Sequence, residues 1–129
     1  MKTIALALVV LAQSAFAMDR FAALSMIESG NDDFAHGALG EVSRFQIRHE
    51  IWCQMTNAPI SQASDPKVSE AVARSLAGSR CQEFERQHGR PPNDIEFYIL
   101  WNAPAQINHP GDFVMERAKR FANLVAQKT

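Results

Sequence analysis

The sequence predicts a mainly α protein: a single small domain with a short loop or hairpin after its first helix. Two observations predict this class. Apolar residues recur at the three- and four-residue spacing of a helix in several segments, and residues that cap helices flank most of these segments. No repeat, low-complexity run or linker interrupts residues 18–129, which suffice for one domain with a modest core.

Capping residues set the bounds of the expected helices. Asp65-Pro66 provides an N-cap followed by proline at the first helical position, and Asn93-x-x-Glu96 matches a capping box. Gly30 is a typical C-terminal stop for the first helix. The stretch 31–44, which contains Gly, Asn and Asp, is typical of a loop or short hairpin. In chain order, helices are expected at about 19–29, 48–55, 66–88, 93–103 and 112–125.

Residues 1–17 have the layout of a secretory signal sequence. Lys2 supplies a positive charge, Ile4 to Ala12 form an apolar stretch, and Ala15-Phe16-Ala17 is an A-x-A cleavage site. The apolar stretch is shorter than the roughly 20 residues that span a bilayer. The sequence therefore predicts an exported protein, periplasmic or extracellular, with no stable membrane insertion after cleavage. The alternative is an uncleaved N-terminal anchor.

The two cysteines, Cys53 and Cys81, are expected to form a disulfide. An exported chain meets oxidising conditions, and a bridge between them would add about 3–4 kcal/mol by restricting the unfolded chain. The alternative is two buried free thiols. The formal net charge of −1 gives no strong basic field for nucleic acid or an anionic polymer, so a polymer would have to be recognised in a cleft.

A carboxylate opens the most distinctive pattern in the chain. Ile27-Glu28-Ser29-Gly30 places Glu28 at the tail of the first helix, and Gly40 and Gln46-Ile47 follow after a turn. This layout resembles the catalytic motif of soluble lytic transglycosylases and goose-type lysozymes, in which Glu-Ser opens the motif and Gly…Gln-Ile closes it. The resemblance implies a lysozyme-like domain at 18–129 that cleaves the β-1,4 MurNAc–GlcNAc bonds of peptidoglycan without a cofactor.

Glu28 is the candidate general acid. Glycoside cleavage needs a proton donor for the leaving oxygen, and the last turn of a helix sets a carboxyl near the negative end of the helix dipole. That position, together with apolar neighbours such as Ile27, would raise the pKa of the carboxyl, as a general acid at neutral pH requires. The simpler alternative is a solvated glutamate at a helix end.

The resemblance also implies substrate-binding residues. Ser29 would bond a carboxyl group or the substrate, and Gln46 would line the cleft. A second family signature, usually Tyr-Asn-Ala-Gly, appears here as Trp101-Asn102-Ala103-Pro104. Trp101 lacks the hydroxyl that a tyrosine could donate to the catalytic carboxylate, so its expected role is sugar stacking or core packing. Tyr98, one helical turn earlier, could supply that hydroxyl.

Glu41 leaves the reaction type open. The spacing between Glu28 and Gln46 fits the transglycosylase branch, in which one carboxylate suffices and the C6 hydroxyl of the substrate attacks C1. Glu41, however, lies close to the position of a second carboxylate in goose-type lysozymes, where it would activate water in an inverting hydrolysis. It could instead form a structural ion pair with Arg44 or Arg48. We expect 1,6-anhydro products, with the hydrolase as the alternative.

No metal site is indicated, because His49-Glu50-x-x-Cys53 begins like a zinc motif but has cysteine in place of the second histidine. Two other functional classes stay open. One is a non-catalytic peptidoglycan-binding module that keeps the cleft, and the other is a small helical protein of a secretion machinery that acts through its surface. We expect a monomer whose partner is peptidoglycan, with no nucleic acid.

Overall fold

The computed structural model describes residues 18–126, so the predicted signal sequence lies outside the described residues. Over this range the chain is mainly helical, as predicted, with one antiparallel hairpin between the first two helices. Residues 18–126 contain no helix that is both long and apolar enough to cross a membrane. The elements are α1 (Arg20–Ser29), β1 (Glu41–Val42), β2 (Ile47–Arg48), α2 (His49–Met55), α3 (Pro66–His88), α4 (Asp94–Asn102) and α5 (Asp112–Ala126), with 3₁₀ turns at Ile60–Ser64 and Pro104–Gln106.

The predicted caps begin and end these helices. The Asp65 carboxylate accepts the backbone N–H of Lys67 at 2.9 Å, and Asn93 and Glu96 form a complete capping box. Gly30 ends α1 in the left-handed conformation at φ 66°, which glycine adopts without steric cost. Local sequence therefore determines where α1 stops, and with it the position of the residues at its C-terminal end.

Helix α4 lies at the centre of the core. Phe97 to Trp101 are all buried, as expected for a helix that neighbours enclose on every side. Helices α3 and α5 pack against α4, and α1 packs against α5. Trp52 of α2 and Phe121 of α5 are completely buried. Side chains at the ends of α1 and α4 and in the middle of α5 are thereby held close together.

The hairpin after α1 is short and tightly turned. Glu41 lies opposite Arg48 across its two strands. In the turn, Ser43 and Gln46 have φ values of 72° and 53°, which residues other than glycine seldom adopt. The Ser43 hydroxyl accepts the N–H of Phe45 and its carbonyl accepts the N–H of Gln46, both at 3.1 Å. Phe45 is buried in the core, so packing and hydrogen bonds together stabilise this turn.

The predicted disulfide is wrong: within residues 18–126, Cys53 and Cys81 are both free thiols. Cys53 is exposed on α2, whereas Cys81 is half-buried on α3. The reason is how α2 meets α3. Met55 of α2 lines a groove with Val68, near the start of α3, whereas Cys81 lies much further along α3 and faces a small gap beside Phe97 of α4. The two thiols therefore do not pair.

Candidate active site

A cleft of about 550 Å³ opens where the end of α1, the hairpin, α3, the end of α4 and α5 converge. This volume is within the range of small-molecule sites in proteins, roughly 300–1,000 Å³. The cleft collects most of the residues that the sequence indicated, although they come from α1, the hairpin and α4. Those in its lining are Glu28, Glu41, Gln46, Trp101 and Asn102.

Glu28 is held in the cleft by a chain of hydrogen bonds from α4 and α5. Its side chain is only 9% exposed. The Tyr98 hydroxyl donates to Oε1 of Glu28 at 2.8 Å, and the Tyr98 oxygen accepts the Nε–H of Arg117 at 2.8 Å. Nη2 of Arg117 also lies 3.4 Å from the same Oε1. Both donors therefore act on one of the two carboxyl oxygens.

The other carboxyl oxygen, Oε2, is open to the cleft. Among residues 18–126, every buried side-chain oxygen has a hydrogen-bond partner, whereas Oε2 of Glu28 has none. Oε2 must therefore be reached by solvent. Because two donors already occupy Oε1, the proton of a neutral Glu28 belongs on Oε2, where it faces the cleft.

The surroundings of Glu28 raise its pKa above the ordinary glutamate value. Burial is the largest cause, the hydrogen bond from Tyr98 and the charge of Arg117 oppose it, and the charge of Glu41 adds a further rise. The position at the C-terminal end of α1 acts in the same direction as burial. Burial, followed by the charge of Glu28, also raises the pKa of Tyr98, so its hydroxyl stays a donor.

Glu41 reaches the same cleft from the hairpin. It is the first residue of β1, and its Oε2 accepts the N–H of Leu39 at 3.0 Å. The suggested ion pair with Arg44 is wrong, because Arg44 binds Asp33 in bidentate fashion at 2.7 and 3.0 Å. No arginine or lysine among residues 18–126 forms a salt bridge with Glu41, Arg48 included. Glu41 is thus a second carboxylate that has no counterion in the described part of the chain.

Gly37 provides the space that Glu41 and Gln46 occupy. A Cβ at Gly37 would overlap Oε2 of Glu41 and would lie 2.8 Å from Oε1 of Gln46. The Gln46 amide donates to the carbonyls of Ala35, at 3.2 Å, and Ser43, at 2.9 Å. Gln46 therefore lines the cleft, as predicted, while it also fixes the backbone of the loop that carries Glu41.

Ser29 does not line the cleft. Its hydroxyl donates to the Arg44 carbonyl at 2.7 Å and accepts the N–H of Asp32 at 3.0 Å. The substrate contact expected for Ser29 is replaced by a structural one. These bonds join the end of α1 to the loop and so fix the hairpin relative to Glu28.

The hydrogen bond to Glu28 comes from the Tyr98 hydroxyl and not from Trp101. Trp101 packs edge-on against Phe45, with ring centroids 6.4 Å apart, and is 8% exposed. Its indole N–H has no partner among residues 18–126, so by the same reasoning as for Oε2 it is reached by solvent. Trp101 is therefore a core residue that also lines the cleft. Asn102, the last residue of α4, is exposed beside it.

Two arginines of the cleft, Arg117 and Arg80, were missed from the sequence. Arg117 follows the buried Val114 by three positions and precedes the buried Phe121 by four, so it lies on the apolar face of α5. Arg80 precedes the buried Phe84 by four positions on α3. A charged residue on the buried face of an amphipathic helix needs a polar partner. That signal was available and could have indicated both residues.

Comparison with models of protein families, with curated proteins and with solved structures finds no match for this chain. Among residues 18–126, no group of three or more His, Cys, Asp or Glu side chains is placed to hold a metal ion. The ionisable groups that line the described cleft are the carboxyl groups of Glu28 and Glu41 and three guanidinium groups, with the Tyr98 hydroxyl bound to Glu28.

Proposed function

We propose that this chain is a lysozyme-like enzyme that cleaves peptidoglycan after export. It breaks the β-1,4 bond between MurNAc and GlcNAc, with Glu28 as general acid and base, and it leaves 1,6-anhydro ends. The observation that carries the proposal is the state of Glu28. Its carboxyl has a raised pKa, is held through Oε1 by Tyr98 and Arg117, and presents Oε2 to the cleft.

The first step is protonation of the leaving oxygen. Oε2 of Glu28 transfers its proton to the glycosidic oxygen as the C1–O bond breaks, and the bonding electron pair leaves on that oxygen. An oxocarbenium-like centre develops at C1. The negative charge that appears on Glu28 is stabilised by the Tyr98 hydroxyl and the Arg117 guanidinium. The network that opposes the rise in pKa thus also stabilises the product of the proton transfer.

The second step regenerates the acid. The Glu28 carboxylate accepts the proton of the C6 hydroxyl while the C6 oxygen bonds to C1 and closes the 1,6-anhydro ring. No water is consumed, and Glu28 ends the cycle protonated. This sequence needs one carboxylate, and it agrees with the transglycosylase-like spacing of Glu28 and Gln46.

An inverting hydrolase is the second candidate, and the position of Glu41 favours it. Glu41 lines the same cleft and forms no salt bridge within residues 18–126. In that reaction Glu41 would take a proton from a water molecule as the water oxygen attacks C1, which gives a reducing end. We favour the anhydro route because the motif spacing matches it and because Glu28 has a largely buried side chain with a raised pKa, as an acid–base group requires.

The proposal is tested by the release of soluble muropeptides from purified peptidoglycan. Wild-type protein should release them, and Glu28→Gln, which keeps the shape but removes the proton donor, should not. Glu85→Gln is the matched control, because Glu85 is an exposed glutamate on α3 away from the cleft lining. Equal release by wild type and Glu28→Gln would refute the role of Glu28. Binding to peptidoglycan with no release by the wild type would favour a non-catalytic binding module.

A further inference from the structure

We propose that Arg80 and Arg48 form a subsite for a carboxylate carried by the substrate, so that the cleft prefers glycans with acidic substituents over neutral glycans. This inference rests on the proposed function, because it names the substrate class of the same cleft. It concerns the binding of the strand and not the proton transfer at Glu28.

The first indication of the subsite is which arginines lack an acidic partner. Most arginines of residues 18–126 have an acidic partner within 4 Å. Those in the same range without one are Arg48, Arg80 and Arg120. Arg48 and Arg80 line the cleft. Two of the three arginines that lack an acidic partner in this part of the chain therefore lie where a ligand would lie.

Arg80 is positioned by the end of α4. Its Nη1 donates to the carbonyls of Leu100, at 2.9 Å, and Trp101, at 2.7 Å, which are among the last carbonyls of that helix and lack helical partners. Burial lowers the pKa of Arg80, and no carboxylate of the described chain offsets that cost. Nε and Nη2 make no hydrogen bond within residues 18–126. A guanidinium fixed through one nitrogen can offer the others to a carboxylate in bidentate geometry.

The net charge of the cleft favours an anion. Its lining contains three arginines, Arg48, Arg80 and Arg117, against two glutamates, Glu28 and Glu41. When Glu28 is protonated, as the proposed acid must be before the reaction, the excess of positive charge increases. The whole chain has a formal charge of −1, so this excess is local. A cleft of one sign attracts and orients ligands of the other sign.

Peptidoglycan offers such carboxylates from two sources. The lactyl ether of MurNAc ends in a carboxylate when no peptide is attached. When a stem peptide is attached, that carboxyl becomes an amide and the free carboxylates lie on the peptide. The subsite needs only the shared chemistry, a carboxylate on a substituent of the sugar ring. A neutral chain of N-acetylglucosamine has none.

The test is the affinity of four tetrasaccharides for the Glu28→Gln protein, which binds without turnover. They are chitotetraose, a peptide-free MurNAc–GlcNAc tetrasaccharide, its lactyl amide, and the same tetrasaccharide with stem peptides. An acidic probe should bind about 10- to 100-fold more tightly than chitotetraose and the lactyl amide, the size of a hydrogen bond to a charged group. Tight binding of the peptide-free acid identifies the lactyl source, and tight binding of the stem-peptide form alone identifies the peptide source.

Substitutions then assign the preference to the arginines. In the same background, Arg80→Gln and Arg48→Gln should each reduce the preference for acidic probes and leave chitotetraose affinity unchanged, while Arg80→Lys should retain part of the preference. Arg120→Gln, the same change at an exposed residue outside the cleft lining, should have no effect. If Arg80→Gln does not fold, two measurements replace it. Arg48→Gln alters an exposed residue and should still reduce the preference for acidic probes, and high salt should abolish that preference in the unsubstituted background.

Equal affinity for acidic and neutral probes, or a preference that survives both substitutions, would overturn the subsite. Its failure is distinguishable from failure of the proposed function, because binding needs no catalysis. A protein that releases muropeptides but does not discriminate by charge keeps the function and loses the subsite. A protein that discriminates by charge but releases nothing keeps the subsite and loses the catalytic proposal.

Discussion

Glu28 and Glu41 line one cleft, yet they are held in opposite ways. Glu28 lies at the end of a helix and is bound by Tyr98 and Arg117, which are 70 and 89 residues away in sequence. Glu41 lies on a two-residue strand, and its bond is to the N–H of Leu39, two residues away. Tertiary packing positions the Glu28 carboxyl, whereas local loop structure positions the Glu41 carboxyl. The comparison shows how surroundings can give two carboxylates of one cleft different chemistry.

The largest expected effect separates the two carboxylates directly. Glu28→Gln should lower the rate of glycan cleavage by about 10²–10⁴, because it removes the acid and base. Under the anhydro route, Glu41→Gln should lower it by less than about tenfold, because its amide oxygen can still accept the Leu39 N–H. Initial rates of muropeptide release measure both. Equal losses in the two variants would end the distinction and favour the hydrolase.

The next largest effect on the rate is expected when Tyr98 or Arg117, which hydrogen-bond to Glu28, is replaced. Tyr98 and Arg117 both lower the pKa of Glu28, so Tyr98→Phe and Arg117→Gln should each raise it further. A general acid works only while it is protonated, so the alkaline limb of the rate–pH profile should move to higher pH in both variants. The rate at the optimum should also fall by about tenfold, because the carboxylate formed by proton transfer loses a donor. An alkaline limb that stays in place or moves to lower pH would contradict the claim that Tyr98 and Arg117 lower the pKa of Glu28.

Replacing Glu41 should shift the pKa of Glu28 in the opposite direction. Its charge raises the pKa of Glu28, so Glu41→Gln should move the alkaline limb to lower pH. The shift should be smaller than that of the network variants, because Glu41 is the last of the contributors to the pKa of Glu28. Rate–pH profiles of wild type, Glu41→Gln and Tyr98→Phe, recorded together, check the sign. A shift to higher pH in Glu41→Gln would show that the two carboxylates do not interact as the structure indicates.

The smallest effect is expected at Gly37. Gly37→Ala would displace the Glu41 carboxylate and press on the Gln46 amide without changing either residue. Because those atoms end flexible side chains, the free energy of unfolding should fall by no more than about 1 kcal/mol. Under the anhydro route activity should be nearly unchanged, whereas a hydrolase that needs Glu41 should lose most of it. Thermal unfolding and muropeptide release measure the two effects separately, and Gly78→Ala, at an open helical position, is the control.

Most of the fold could be predicted because it is signalled locally. The caps at Asp65, Asn93 and Gly30 are encoded within a few residues, and the structure confirms them. The disulfide could not be predicted in the same way. Whether Cys53 and Cys81 meet depends on which face of α3 packs against α2, and no short segment of the chain contains that information.

The candidate site was predictable where a motif joins neighbouring stretches of sequence and unpredictable where packing joins distant ones. Glu28 and Gln46 of the motif line the cleft, and so does Glu41, whose role the sequence left open. Ser29 did not, because its hydroxyl is used by the backbone of Arg44. The sequence offers Tyr98 as a source of the hydroxyl for Glu28, but the contact itself depends on which side of α4 faces the end of α1.

The mass of the muropeptides released by wild-type protein tests the central claim most directly. Under the proposed function, the products end in 1,6-anhydro MurNAc and are each lighter by one water than the corresponding reducing-end products, and Glu28→Gln releases none. Reducing-end products, together with an inactive Glu41→Gln variant, would contradict the single-carboxylate mechanism and make Glu41 the base of a hydrolase.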